Sequence, residues 1–145
     1  MADAWATLEQ FLELIPFAAI LGVELESATP ELVVARMRWR EDLCTMNGIL
    51  HGGVLMAFGD TIGALCAFLN LPAGAGTATI SSSSNMLRPV REGTLTGSAR
   101  PLHAGRSVIS VQTELRDEAG RLVAQVAQAQ AVLGGVAMDQ GAPSA

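Results

Sequence analysis

The chain has 145 residues, a length that suits one domain with a substantial hydrophobic core. Half of the residues are hydrophobic and the mean hydropathy is +0.36, so polar surface is scarce and we expect an oligomer. The net charge of −5 and the pI near 4.9 argue against nucleic acid as the main partner.

The N-terminus and the cysteines bear on the cellular compartment. The first residues, MADAWATLEQ, are acidic and have no basic segment before an apolar stretch, so we expect no signal peptide. Cys44 and Cys66 form no CxxC motif and have no His cluster beside them in the sequence. This favours reduced thiols in a cytoplasmic protein without a metal site.

Hydrophobic periodicity predicts two helices, a hairpin, a long helix and a run of strands. Apolar residues at helical spacing predict an N-terminal helix over 4–15, ended by Pro16, and a short helix over 17–21. A very apolar helix is predicted over 52–69, and a small, polar, flexible tail over 134–145. Six strands are predicted in hairpin succession: 22–28, 31–40, 77–88, 93–103, 106–116 and 121–133.

This order of elements predicts an α+β domain with a mainly antiparallel sheet. The helix over 52–69 is too apolar to stand in water, so the sheet is expected to curve around it. Its glycines, His51 and Asp60 make a buried helix a better interpretation than a membrane span.

Asp60 is the only acidic residue in ILHGGVLMAFGDTIGALCAFL, residues 49–69. It lies two turns into the predicted helix, too far along to cap it. An unpaired carboxylate on an apolar helix costs several kcal/mol, roughly, so we favour a functional role over a structural hydrogen bond or ion pair. Bulky residues form a different face of this helix, expected to pack on the sheet: Leu55, Phe58, Ile62, Leu65 and Leu69. The face of Asp60 carries mostly small residues, which predicts a groove open to a ligand or another chain: Gly53, Met56, Ala57, Gly63, Ala64 and Ala67.

The start of the same helix is also a candidate for chemistry. Asn47-Gly48 predicts a turn, and His51-Gly52-Gly53 follows it at the helix N-terminus. The first-turn amides have no partner inside the helix, and glycine lets a ligand approach them, so the amide of Gly52 or Gly53 can polarise a carbonyl oxygen. His51 has either a direct chemical role or a backbone hydrogen bond that shapes the turn.

Two segments together resemble the PaaI-type acyl-CoA thioesterases of the hotdog fold. They are GILHGGVLMAFGDTIGALCA and NMLRPVREGTLTGSARPLHAGRSVISVQTELRDEAGRLVAQVAQAQAVL, and the resemblance spans about residues 20–133. The HGG motif followed seven positions later by an acidic residue is its most specific part. The resemblance implies a helix wrapped by a curved antiparallel sheet, hydrolysis of a CoA thioester without a cofactor, and homodimers or homotetramers with active sites across the interface.

The resemblance also implies catalytic roles. Asp60 would be the nucleophile or the general base, the amide of Gly52 would polarise the thioester carbonyl, and His51 would orient that end of the helix. Relatives commonly carry an Asn six positions before the His, where this chain has Thr45. Asn47 through a shifted loop, Thr45 itself, or a water would then fill that polar role.

The resemblance further implies substrate contacts. Gly53 and Thr61 would line the pocket, together with a hydroxyl from the strand after the helix of the partner subunit, for which Thr79 is our first candidate and Ser81 the second. Ser82 and Ser84 are better explained as a plain polar strand face. Cations at predicted strand ends and turns are candidates for binding the CoA phosphates: Arg88, Arg91, His103 and Arg106.

Two other functions fit parts of this pattern. A hotdog hydratase or dehydratase also pairs a His with a carboxylate, but the absence of Pro between His51 and Asp60 counts against it. A non-catalytic acyl-CoA-binding domain is the second alternative, although the acidic first 20 residues offer no DNA-binding segment for a regulator. The sequence leaves the acyl group open.

Overall fold

The computed structural model describes residues 8–134, which contain three α-helices and six β-strands. The helices are α1 (Leu8–Glu13), α2 (Pro16–Leu21) and α3 (Gly52–Leu69). The strands, in chain order, are β1 (Glu24–Ala28), β2 (Val33–Arg38), β3 (Ala75–Met86), β4 (Thr94–Ala104), β5 (Val108–Arg116) and β6 (Leu122–Gly134). The predicted α+β class is confirmed, and the bounds of α3 agree with the predicted 52–69.

The N-terminal helix differs from its prediction. Within the described residues α1 ends at Glu13, and Pro16 is the first residue of α2 rather than only the end of α1. Proline suits this place because a first helical residue has no use for its N–H. Gly22, with φ of 73°, ends α2 in the left-handed region. Residues 4–7 of the predicted helix and 135–145 of the predicted tail lie outside the described residues, whereas Gly134 ends β6.

The six strands form one antiparallel sheet in the order β1-β2-β4-β5-β6-β3. The predicted bulky face of α3 packs on it, with Leu55, Phe58, Ile62 and Leu65 buried. By length and composition alone α3 would pass as a membrane-spanning helix, but this face is buried against the protein's own sheet. The arrangement is the helix wrapped by a sheet that the sequence predicted.

Glycines let α3 approach the sheet closely at two strands. A Cβ on Gly59 would lie 2.6 Å from Cγ2 of Val126 in β6, and a Cβ on Gly97 in β4 would lie 2.5 Å from Cδ1 of Ile62. A Cβ on Gly63 would overlap the side chain of Gln128. The small-residue groove predicted beside Asp60 is therefore partly closed, because β6 of the same chain fills the space over Gly63.

The two edges of the sheet differ in length. β1 has five residues, whereas β3 has twelve and contains a β-bulge between Thr79 and Ser81. Most of β3 is exposed in the single chain, and the side chain of Ile80 at the bulge is 60% exposed. A long edge strand with unpaired backbone groups is a surface on which another strand can pair.

We expect Gly59→Ala to lower the free energy of unfolding by about 1–3 kcal/mol, because the added methyl overpacks the contact with Val126. Urea denaturation followed by circular dichroism measures this. Gly52→Ala is the matched control, since its Cβ would lie at an ordinary 3.9 Å from Cε of Met86. Equal stability of the two variants would show that the Gly59 contact is not a tight one.

Candidate active site

The start of α3 is fixed by the side chain of His51. Its Nδ1 accepts a hydrogen bond from the amide of Gly53 at 2.8 Å, and its backbone is extended, with φ −60° and ψ 135°. Its own amide donates to the carbonyl of Leu43 at 2.9 Å. Because Nδ1 is an acceptor, the proton of the neutral ring is assigned to Nε2. His51 is thus the N-cap of α3.

Gly52 and Gly53 differ in the state of their amides. The Gly53 N–H is taken by His51, whereas the Gly52 N–H has no acceptor within residues 8–134. The positive end of the helix dipole adds to the field at this point. Of the two amides that the sequence left open, that of Gly52 is therefore free to bind an oxyanion.

The loop before α3 turns at Asn47 and Gly48. Both have left-handed backbone conformations, with φ of 63° and 68°, and the Gly48 carbonyl accepts a hydrogen bond from Nε1 of Trp39 at 3.0 Å. The side chain of Asn47 is exposed and makes no hydrogen bond to any described residue. Asn tolerates this backbone conformation better than most residues, so the turn alone accounts for its presence. A catalytic role for Asn47 stays a prediction.

A cavity of about 330 Å³ lies beside the helix N-terminus. Gly52 and Leu55 line it from α3, Met86 from the end of β3, and Thr45 and Arg88 from the adjoining loops. Apolar walls with one hydroxyl and one cation suit a ligand that has both an apolar and an anionic part.

Asp60 lies at the centre of a polar network between α3, β3 and β6. Its Oδ1 accepts hydrogen bonds from Oγ1 of Thr79 and from Nε2 of Gln128, each at 3.0 Å. Oγ1 of Thr79 in turn accepts from Nε2 of Gln130 at 2.8 Å. Among the described residues Oδ2 has no partner, and no cation lies within 4.0 Å of the carboxylate. The structural ion pair considered as an alternative does not form within this part of the chain.

The charge of Asp60 determines the directions of these hydrogen bonds. An ionised carboxylate only accepts, so Thr79 must give its single hydroxyl proton to Asp60. Gln130 must then present its N–H to Thr79, and Gln128 must present its N–H to Asp60. Thr79 and Gln128 therefore both donate to one carboxylate oxygen, and Gln130 donates to the hydroxyl of Thr79.

Residues 47–124 match the family model described as the thioesterase superfamily. The chain belongs to the thioesterase superfamily. A thioesterase from Haemophilus influenzae superposes with a TM-score of 0.84 at 30% identity, over 91% of this chain and 94% of that one. A relative from the same organism is 34% identical over 118 residues, 80% of this chain and 86% of the relative.

Two further proteins support the predicted resemblance to PaaI-type thioesterases, and the hotdog fold is confirmed. A phenylacetic acid degradation-related protein from Ralstonia eutropha JMP134 has a TM-score of 0.76 at 28% identity, over 81% of this chain and 90% of that one. The proofreading thioesterase EntH of Klebsiella pneumoniae is 34% identical over 87 residues, 60% of this chain and 64% of that protein.

Two buried glutamines belong to the site but are not among the residues predicted from the sequence. Gln128 is 4% exposed and Gln130 is fully buried. The signal was present in the alternation of β6, since Ala124 and Val126 face α3 and period two places both glutamines on that same face. A polar residue at an inward position needs a partner, and Asp60 and Thr79 are those partners.

Of the three predicted pocket hydroxyls, that of Thr79 donates to Asp60 and those of Ser81 and Thr61 do not. Thr79 contacts Asp60 of its own chain, although the resemblance implied a hydroxyl from the partner subunit. Ser81 pairs with Ala129, on the opposite face from Gln128, because the bulge adds one residue after Thr79. Period-two counting from Thr79 fails there, and Ser82 is the residue paired with Gln128. The hydroxyl of Thr61 donates to the carbonyl of Ala57 at 2.7 Å and is used by α3 itself.

The candidate cations lie at two ends of the sheet. Arg88 and Arg91 lie in the connection between β3 and β4, whereas His103 lies near the end of β4 and Arg106 in the turn after it. The length of β4, roughly 30 Å, separates the two pairs within one chain. All four side chains are exposed. One chain therefore does not bring all four to a single phosphate group, and Arg88 alone lines the cavity at Gly52.

Cys66 is the other nucleophilic side chain on α3. It is fully buried, and burial raises the pKa of its thiol to about 11. The thiol therefore stays protonated at neutral pH and offers no thiolate for nucleophilic chemistry.

We expect His51→Asn to keep both the stability and most of the thioesterase activity, because an Asn side chain can cap the helix in the same way. His51→Ala removes the cap and is expected to lower the free energy of unfolding by about 1 kcal/mol, measured by urea denaturation. If the Asn variant is stable but loses as much activity as the Ala variant, the imidazole has a chemical role of its own.

Proposed function

We propose that this protein hydrolyses acyl-CoA thioesters to a free carboxylic acid and coenzyme A. The observation that carries the proposal is the state of the Asp60 carboxylate, with Oδ1 held by two neutral donors and Oδ2 without a partner among the described residues. A coenzyme A thiolate is a good leaving group, so one carboxylate and one oxyanion donor suffice without a catalytic triad.

The reaction uses the free oxygen of Asp60. Oδ2 either attacks the thioester carbon itself or removes a proton from the water that attacks it. The carbonyl oxygen becomes an oxyanion and accepts the hydrogen bond of the Gly52 amide. Collapse of the tetrahedral intermediate breaks the C–S bond and releases the thiolate; a second water attack is needed only on the nucleophilic route.

We propose that each site is shared between two protomers. Gly52 and Asp60 are eight residues apart on α3, so about 12 Å of helix separates them, too far for both to contact one thioester group. Asp60 of one protomer would therefore work with the Gly52 amide of another. The long exposed edge of β3 supports a homodimer built there, from which a homotetramer can assemble.

We also propose how the substrate approaches the site and where in the cell the protein acts. The acyl chain and the pantetheine arm would approach along the cavity beside Gly52, with Arg88 as the nearest candidate for a CoA phosphate. The two free cysteines support a reducing compartment, so we propose that the protein acts in the cytoplasm.

The first experiment follows thiol release from a panel of aliphatic and aryl acyl-CoAs. We expect the wild type to hydrolyse part of the panel and Asp60→Asn to lower kcat by a factor of about 100 or more, as the loss of a general base or nucleophile predicts. Glu26→Gln is the matched control, since it removes a carboxylate on β1 that pairs with Arg36, at the edge of the sheet opposite to β3.

The outcomes separate the candidate functions. An Asp60→Asn variant as active as the wild type would contradict the mechanism. Binding of acyl-CoAs by the wild type without any thiol release would favour the non-catalytic acyl-CoA-binding domain. Hydration of an enoyl-CoA, measured as the loss of its absorbance, would favour the hydratase.

We expect Gly52→Pro to lower kcat by a factor of about 100 to 1,000, because it deletes the oxyanion donor. The fold should tolerate this proline, since Gly52 is the first residue of α3 and His51 already has the extended backbone that precedes proline. Gly52→Ala keeps the N–H and is the matched control, expected to retain most of the activity and the same thermal midpoint.

Mixing two inactive variants tests the shared site. Asp60→Asn and Gly52→Pro protomers, refolded together in equal amounts, should recover about a quarter of the wild-type activity, because half of the dimers then contain one intact site. No recovery, with mixed dimers demonstrated by native mass spectrometry, would contradict a site shared between protomers.

A further inference from the structure

We propose that Gln128 is a positioning residue for Asp60, and that Gly63 is glycine because it leaves the space that Gln128 occupies. This inference rests on the proposed function, since it concerns how the same carboxylate is presented to a thioester. It adds a residue of β6 to a site otherwise built from α3 and β3.

The hydrogen bonding of Gln128 supports a role directed at Asp60. Its Nε2 donates to Oδ1 at 3.0 Å, whereas its Oε1 is buried and has no partner within the described residues. Turning the amide over would bring Oε1 against the carboxylate, two acceptors facing each other. The side chain is therefore fixed in the orientation that serves Asp60 and leaves its own acceptor unpaired.

An unpaired buried acceptor is unfavourable for stability, so stability alone would favour an apolar side chain at this inward position. The neighbouring inward residue Val126 is apolar, as expected for a strand packed under a helix. The amide of Gln128 is thus better explained by what it does to the carboxylate than by what it adds to the core.

Two donors on one oxygen fix the rotation of the carboxylate. Gln128 approaches Oδ1 from β6, and Thr79 approaches it from β3, where Gln130 holds the threonine hydroxyl. The carboxylate cannot exchange its oxygens without breaking both bonds, so Oδ2 is presented to the substrate in every turnover. Holding a reacting atom in this way is a large contribution to catalysis.

Gly63 makes this contact possible. A Cβ at this position would overlap Oε1 of Gln128, so an alanine would push the amide away from Asp60. The helix has glycine here although glycine has a low helix propensity. Gly63→Ala should therefore weaken the same interaction from the other side.

The test compares Gln128→Met with wild type. Methionine keeps the length and fills the same space, but it removes the N–H donor. We expect kcat to fall by about 10- to 100-fold, the value of a hydrogen bond to a charged group, with KM nearly unchanged. Gln125→Met is the matched control, because it changes the same residue type on the same strand at a position that faces away from α3.

A second measurement distinguishes a positioning role of Gln128 from a purely structural one. Titration with a non-hydrolysable thioether analogue of the best substrate, followed by calorimetry, gives the number of binding sites per protomer. The measured kcat is then divided by that number. A purely structural role would lower the number of sites and leave kcat per site unchanged, which would overturn the proposal. If Gln128→Met fails to fold, Gln128→Asn keeps a buried amide but retracts the donor by one methylene, and the same loss of kcat is expected.

The failure of this proposal is distinguishable from that of the proposed function. An inactive Asp60→Asn variant combined with a fully active Gln128→Met variant would overturn the positioning role alone. Full activity of Asp60→Asn would overturn the catalytic role of the carboxylate whatever Gln128 does.

Discussion

The close contact between α3 and β6 is the constraint on which the site depends. It exists because glycines at 59 and 63 remove the side chains that would hold the strand away. Val126 packs over the first glycine and Gln128 over the second, so the strand is held against the helix at two points about one turn apart. Without this contact Gln128 would not reach Asp60, and Thr79 would be the one described side chain left to orient its carboxylate.

The contact between α3 and β6 also determines which groups surround the carboxylate of Asp60. A cation at this distance would compensate its charge, as in a structural ion pair, and would occupy the space a substrate needs. The neutral donors of Gln128 and Thr79 orient one oxygen and leave the negative charge without a cation from the described part of the chain. A carboxylate that is oriented but not neutralised suits a base or a nucleophile better than it suits a core.

The sequence predicted the features that are local, and it missed those that depend on contacts between distant elements. The bounds of α3 followed from its hydrophobic pattern and the glycines before it, and the buried face from helical spacing. Ser81 lies on the face of β3 opposite to Thr79 because a bulge after Thr79 shifts the alternation, and a bulge leaves little trace in composition. The alternation of β6 indicates that Gln128 faces inward, but it does not indicate which residue Gln128 contacts, because its partner Asp60 lies 68 residues away.

The position of Gly52 and Asp60 on one helix has a consequence for assembly. A rigid helix keeps these two groups about 12 Å apart, so no motion within one chain brings them to the same thioester. In the homodimer that we propose, a two-fold axis near the β3 edge would set the N-terminus of each helix beside the middle of the other. Each helix would then contribute an oxyanion donor to one site and a carboxylate to the second. The same interface would account both for the apolar composition that favours an oligomer and for a mechanism that uses two helices.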